Sequence, residues 1–470
     1  MKLKNKNLFV EKKISAGIAV INPSTLKKIG EIPNMEIAEV KAIIEIAQNS
    51  FAKWKKLTGK ERAKLLHKWY ELILENQEDL AIILTSEQGK PLAEARSEIA
   101  YGASFVEWFC EEAKRIRGEV ILAPKINQKI ITMLEPVGVI AAITPWNFPC
   151  AMITRKAAAA MAAGCCVVLK PSELTPFSAL ALEILAKEAG IPEGVFNIVT
   201  GDASKIGAEF CNNKLIRKIS FTGSTRVGKL LATQSGNDLK RLSLELGGSA
   251  PFIVFADANL DKAIAGLLHA KFRNGGQACT CVNRIFVEEK IHDEFIEKLL
   301  SEVKKLKIAD GFAAEVNIGP MISTAAISKV EHLINDAVSQ GAQCKIGGKK
   351  ISGQFFTPTI LTEITPNMAV AREEIFGPVA AIQKFNSETE IIEKANNTNY
   401  GLGSYLYTND ANRIWRISDA LEFGMVAINE CSFATEIAPF GGIKHSGFGR
   451  EGSHLGITEF LQLKTLHISF

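Results

Sequence analysis

Between residues 36 and 113 apolar side chains recur at three- and four-residue steps, through VKAIIEIAQNSFAKW and RAKLLHKWYELILENQEDLAIIL. That spacing predicts amphipathic helices. Two short β-rich pieces follow at 119–123 and 129–134 and predict an extended arm or hairpin. From residue 137 the pattern becomes alternating. VGVIAAIT, CVVLK, VFNIVTG and IRKISFTG each read as a buried strand, with helices expected after Pro149, near Pro176, after Ala203 and after Ser224. Buried strands alternating with helices predict a parallel, doubly wound α/β sheet. A second series runs from APFIVF through a helix at 260–274, RIFVEE, a helix at 292–306, and later units including 329–338, TPTILTEI, VAAIQKF and MVAINE. The expected fold is therefore α/β, with two doubly wound domains in tandem that meet near Gly247-Gly248. One comprises 1–118 and 138–246, the other 247–436. The arm at 119–137 and the apolar-alternating tail, within 455–470, have no partners nearby in sequence. They are expected to pair between subunits of a homodimer or homotetramer.

At 470 residues the chain exceeds one ordinary hydrophobic core, in keeping with two domains. A net charge of +4, from 55 basic and 51 acidic residues, gives no footprint for nucleic acid. The basic start, MKLKNKNLFVEKKIS, lacks the apolar stretch of a signal peptide. The longest apolar run, 157–169, is broken by Gly164 and too short for a bilayer. A cytoplasmic protein with no membrane partner is expected. Nine scattered cysteines without a C-x2-C pair suit a reducing compartment and argue against a zinc site, so no metal is expected.

Five pieces carry candidate chemistry. FTGSTRVG, with Thr222, Gly223, Ser224 and Gly228, joins a strand to a helix, where backbone N–H groups can meet a phosphate. G-x-x-x-x-G is common, and singly this is weak. Lys170, Ser172 and Glu173 end another strand, where a cation and a carboxylate can hold ribose hydroxyls; a solvated ion pair reads as well. FRNGGQAC runs from a helix into a glycine-rich loop that ends on Cys279. Most cysteines are inert, but two glycines bring backbone N–H groups close to whatever this sulfur attacks. Glu245, between two leucines in LELGG, is either a partnered buried carboxylate or a general base raised toward neutrality. Asn147 in PWNFP can donate to an oxyanion or cap the next helix.

In this order the five pieces resemble the aldehyde dehydrogenase superfamily over essentially the whole chain. The resemblance extends to EEIFGP at 373–378 and PFGGIK with Ser446-Gly447. It implies that Cys279 is the nucleophile, that Glu245 activates the hydrolytic water, and that Asn147 and the Cys279 N–H stabilise the oxyanion. Lys156 and Glu451 match positions that relay the base's proton. For the cofactor, the resemblance points to Trp146, Lys170, Ser172, Glu173, Thr222, Gly223, Ser224, Gly228, Leu246, Glu374 and Phe376. It also implies a small aldehyde as substrate. A coenzyme A-acylating relative, or a non-catalytic protein on this fold, is the competing reading; each would be expected to lack Glu245 or Cys279.

Within the superfamily the chain is most similar to succinate-semialdehyde dehydrogenases, through NFPCAMITRK, KFRN and the Cys279-x-Cys281 pair. That similarity implies Arg155 and Arg273 as holders of a substrate carboxylate, and Cys281 as the partner of a disulfide redox switch. Ala434 stands where relatives carry a substrate-binding Ser, with Thr435 as the nearest substitute, so glutarate semialdehyde or a small uncharged aldehyde are the alternatives. A carboxylate at Glu173 would repel a 2′-phosphate, which predicts NAD, with NADP as the alternative.

Overall fold

The computed structural model describes residues 1–9, 17–433 and 435–470. Two large sheets carry most of its strands. The first has six strands in the order Gly447–Phe448, Arg241–Glu245, Ile216–Thr222, Val139–Ile143, Cys166–Lys170, Phe196–Ile198. All neighbours are parallel except the short Gly447–Phe448 edge. Every residue of Cys166–Lys170 is buried, as helices on both faces require. The chain steps outward from Val139–Ile143 in one direction, then returns to its other side for Ile216–Thr222. Between those two strands the winding reverses, and a crevice opens at their carboxyl ends.

The second sheet has seven strands, ordered Gln343–Ile346, Thr359–Thr362, Val379–Phe385, Val282–Glu288, Ala250–Val254, Gly403–Tyr407, Met425–Ile428. Only the first pair is antiparallel. The predicted α/β class with two parallel-sheet units is therefore what the chain forms. Several strands escaped the sequence pattern, two of them inside the large sheets. Arg241–Glu245 reads RLSLE, half polar, and Gly403–Tyr407 opens on Gly-Ser, so neither shows a continuous apolar run.

The helical segment resolves into Ile37–Trp54, Gly59–Glu75, Gln77–Gln88 and Leu92–Glu112. Thr58 and Glu61 form a capping box at the second start. Gly89, at φ 93°, ends the third, and Pro91 forbids its continuation. These helices lie against the first sheet's own helices: the Trp54 and Trp69 indoles donate to the Met161 and Leu182 carbonyls. The Ala-rich run is the helix Ala151–Ala163, buried all round, where small side chains permit close packing.

The tail strand Leu461–Ser469 pairs antiparallel with Gln128–Pro136, and Val120–Ile121 adds a third strand. The tail thus pairs with the arm of its own chain. Leu122, Ile126, Leu463 and Phe470 remain exposed. Among the described residues no helix is long and apolar enough to cross a membrane. Nor does any group of three His, Cys, Asp or Glu side chains among them suit a metal ion.

Candidate active site

The helix Leu260–Phe272 ends at Arg273, and the chain turns through Asn274 at φ 52° and Gly275 at φ 62° before reaching Cys279. Left-handed backbone at a non-glycine residue costs energy and needs outside support. Across the hinge Gly248 packs on this loop so closely that any side chain there would strike the Cys279 carbonyl oxygen. Cys279 is half-buried and lines an 820 Å³ cleft with Arg155, Arg273, Phe148 and Phe440. Burial pushes its thiol up to about 12; Arg155 and Arg273 pull the other way, and Glu245 adds to the rise.

Glu245 closes the strand Arg241–Glu245 and is buried, with Oε2 lacking any hydrogen-bond partner. Burial first, and the neighbouring Glu451 second, hold its carboxyl well above the ordinary range. A Cβ on Gly441 would come within 2.9 Å of Glu245 Oε1, so the glycine leaves that carboxylate its space.

Glu451 sits opposite a pair of cations from one helix. Lys156 Nζ donates to Glu451 Oε1, and Arg155 Nε lies 3.0 Å from Oε2. Burial pushes the Glu451 carboxyl up, but Lys156 and Arg155 outweigh it and keep it below its usual range. The Arg155 guanidinium is stacked 4.1 Å from the Phe440 ring and 5.1 Å from Phe105. Its ion pair is out of line for a hydrogen bond, and Nη2 also lacks a partner. Arg155 therefore has a carboxylate partner that the sequence reading did not assign, together with free N–H capacity. Arg273 lies over Phe148 at 5.2 Å. Both arginines also act on the buried Tyr101 phenol, which burial raises against their pull.

Asn147 donates from Nδ2 to the Gln277 carbonyl at 3.1 Å, which occupies one of its two N–H bonds and leaves the other. It does not cap the helix that follows. Cys281 lies under the loop, its thiol directed at the Lys271 and Val282 carbonyls at 3.4 and 3.6 Å. Thr435 is half-buried, and its Oγ1 accepts from the Ile437 N–H at 3.4 Å. Ala434 lies outside the described residues.

On the far side of the hinge, Thr222 and Glu245 end adjacent strands of the first sheet, Lys170 ends the strand beyond Val139–Ile143, and Trp146 follows that intervening strand. Lys170 Nζ binds Glu173 Oε2 at 2.7 Å. Burial raises the Glu173 carboxyl, but Lys170 brings it below its usual range. The Ser172 hydroxyl instead accepts from the Leu174 N–H at 3.2 Å, stiffening the turn. Ser224 caps the helix Thr225–Ser235. Gly228 faces Leu246 with no room for a side chain, and Gly223 leaves the turn beside Phe221 without bulk. Glu374 accepts from the Gly248 N–H at 3.0 Å, and the rings of Trp146 and Phe376 meet edge-on at 5.5 Å. The buried Thr222 hydroxyl is unpartnered at this crevice. An orphaned hydroxyl, a helix N-terminus and a lysine–carboxylate pair at the reversal point fit a dinucleotide.

Sequence reasoning missed Gln88, Lys90, Glu98 and Asn274, which surround Asn147, as well as His269, Tyr101 and Tyr405 in the cleft.

Residues 9–466 match the profile described as the Aldehyde dehydrogenase family. The chain is 53% identical over 452 residues to a glutarate-semialdehyde dehydrogenase of Pseudomonas putida, covering 96% of this chain and 94% of that one. It is 50% identical over 480 residues to the succinate-semialdehyde dehydrogenase (NADP+) of Escherichia coli, and 100% of each is covered. The crystal structure of succinate-semialdehyde dehydrogenase from Burkholderia pseudomallei matches with a TM-score of 0.99 at 49% identity, with 100% of each chain covered.

Proposed function

The chain belongs to the aldehyde dehydrogenase family and oxidises an aldehyde with NAD or NADP; from this premise we propose that its substrate is succinate semialdehyde. The carrying observation is that two cations, Arg155 and Arg273, line the Cys279 cleft and both bear on its thiol. An aldehyde with a remote carboxylate would place that carboxylate between them, where guanidinium groups bind it through paired N–H donors. Glutarate semialdehyde is the second reading, favoured by the roomy cleft and by the Pseudomonas relative's name.

In this proposal the Cys279 thiolate, its proton released to solvent, adds to the aldehyde carbon, and the unused N–H of Asn147, with the Cys279 N–H, receives the oxyanion. When bound, the nicotinamide supplies the acceptor for the hydride that leaves the thiohemiacetal carbon. Glu374 and Phe376, with Trp146, would orient its end of the dinucleotide; Lys170, Glu173, Thr222, Gly223 and Ser224 would hold the other, across residues 1–118 and 138–246. Glu245 takes a proton from water for hydrolysis of the Cys279 thioester, and Glu451 with Lys156 carries that proton away.

The substrate test is kcat/KM for succinate semialdehyde beside butanal, an uncharged aldehyde of equal length. Arg155→Met or Arg273→Met should lower the semialdehyde value about 100-fold and leave butanal within about fivefold. Equal losses for both aldehydes would sink the clamp.

For the cofactor, the Glu173 carboxylate would face a ribose 2′-hydroxyl and is half-exposed, so solvent screens its repulsion of a phosphate. The expected preference is NAD over NADP by about tenfold, falling to near parity in Glu173→Ser. A parent that prefers NADP in steady-state kinetics refutes this reading.

We also propose self-association, as a homodimer or homotetramer, through the exposed apolar residues of the arm sheet. Sedimentation velocity of the parent tests it, with a monomer as the contrary result. All nine cysteines are free thiols, which suits a cytoplasmic enzyme.

A further inference from the structure

A buried cluster at the junction of Gln77–Gln88 and Leu92–Glu112 reaches both halves of the reaction centre. Lys90 is fully buried. Its Nζ donates to Glu98 Oε2 at 2.6 Å and to the backbone carbonyl of Asn147 at 2.8 Å, and it lies 3.8 Å from the Phe148 ring. The other oxygen of Glu98 accepts from the Cys150 and Ala151 N–H groups, at 2.9 and 3.3 Å, at the start of the helix that carries Arg155 and Lys156. Gln88 donates to Asn274 Oδ1 at 3.0 Å, and its own carbonyl accepts from the Lys90 N–H at 2.9 Å. Asn274 closes the circuit. Its Nδ2 lies 3.1 Å from the Asn147 carbonyl and 3.2 Å from the Gln277 carbonyl, while its N–H donates to Glu94.

We infer that Lys90 and Asn274 are positioning residues for the oxyanion site, locking the Asn147 peptide of one sheet against the thiol loop of the other.

The Asn147 carbonyl receives two donors, one from each side of the hinge, so the peptide cannot rotate without breaking both. Its side chain is then aimed by a fixed backbone. The Gln277 carbonyl is likewise shared, between Asn147 Nδ2 and Asn274 Nδ2, which ties the Asn147 amide to a point two residues before the nucleophile. The left-handed backbone of Asn274 is held by the same contacts, from Gln88 and Glu94. Glycines complete the support. The Gly319 backbone abuts the Gly89 carbonyl with no room for a side chain, and the Leu92 N–H donates to the Gly311 carbonyl at 2.9 Å. Gln88, Lys90 and Asn274 do not line the Cys279 cleft, although Glu94 and Glu98 reach it. A displacement of the oxyanion donor by about 1 Å costs on the order of 100-fold in rate, so small losses of restraint are readable.

The test measures the rate of the first turnover, as the burst of reduced dinucleotide in stopped flow. Lys90→Met should slow that burst about 30-fold, with the dinucleotide dissociation constant unchanged within twofold, and Lys90→Arg should recover part of it. The decisive arm is the double-mutant cycle with Asn147→Ala. If Lys90 acts through Asn147, adding Lys90→Met to Asn147→Ala slows the burst by less than about threefold more. Full multiplication of the two losses, or a lowered melting temperature with an unchanged burst, overturns the inference. Should Lys90→Met fail to fold, Gln88→Met removes only the bond to Asn274 and the acceptor for the Lys90 N–H. A burst slowed about tenfold then supports the inference, and an unchanged burst overturns it.

Discussion

Glu245→Gln is expected to complete one turnover and then stall. One reduced dinucleotide per active site should appear in a burst close to the parent's, followed by a steady state about 10³-fold slower. Gln matches the carboxylate in size, so the space left by Gly441 stays filled and the oxyanion side is untouched. Only the proton acceptor is lost. The thioester on Cys279 should therefore accumulate, visible as an acyl adduct by intact-protein mass spectrometry. The pH profile follows from the raised carboxyl. Only ionised Glu245 can take a proton from water, so parent turnover should climb with pH through that raised value, and the variant should lose the limb. Stability moves the other way. A carboxyl raised on folding favours the folded state at pH below its ordinary value of about 4.3, and that contribution is lost as pH rises through the folded value. Gln carries no such dependence, so the variant's melting temperature should gain on the parent's as pH increases. A steady state within tenfold of the parent would show that some other group is the base.

What could be read from the chain depended on how far apart the interacting residues lie. Cys279 and Glu245 each stand inside a short run whose glycines and leucines are their immediate surroundings, and both runs were legible. So were the buried strands, since an unbroken apolar segment such as CVVLK has few alternatives. Lys90 was not, because its meaning lies 57 residues away at the Asn147 carbonyl, and Gln88 meets Asn274 across 186. Arg155 shows the same limit. Its helix position and charge were visible, but its pairing with Glu451 depends on the edge strand Gly447–Phe448 returning from the second half of the chain to face Leu244 and Glu245. The tail had an apolar alternation with no visible partner, because its partner precedes it by two whole sheets. Ser172 and Gly228 were matched by motif, but the turn that Ser172 braces and the Leu246 side chain that Gly228 packs against could not be read from it.

Cys279→Ala should lower turnover by at least about 10⁴-fold while leaving dinucleotide affinity within about twofold, even though Cys431 also lines the cleft, because Cys279 is the thiol on the glycine-rich loop beside Asn147. Thiol labelling makes the same case in the parent. With burial pushing its thiol up to about 12, Cys279 rests protonated at pH 7. Alkylation by iodoacetamide in the resting enzyme should thus be slow and rise about tenfold per pH unit well past pH 9. Arg155 pulls the thiol down, so Arg155→Met should slow labelling further at any fixed pH. Fast labelling that ignores pH would mean a preformed thiolate, and the sulfur would then need no base to attack. The same assay addresses the proposed switch. A disulfide with Cys279 requires the Cys281 thiol to turn away from the Lys271 and Val282 carbonyls. Loss of Cys279 labelling after peroxide should then be reversed by dithiothreitol in the parent and absent in Cys281→Ala. If peroxide acts equally on both proteins, Cys281 is only a buried side chain beneath the loop, and the nucleophile is oxidised alone.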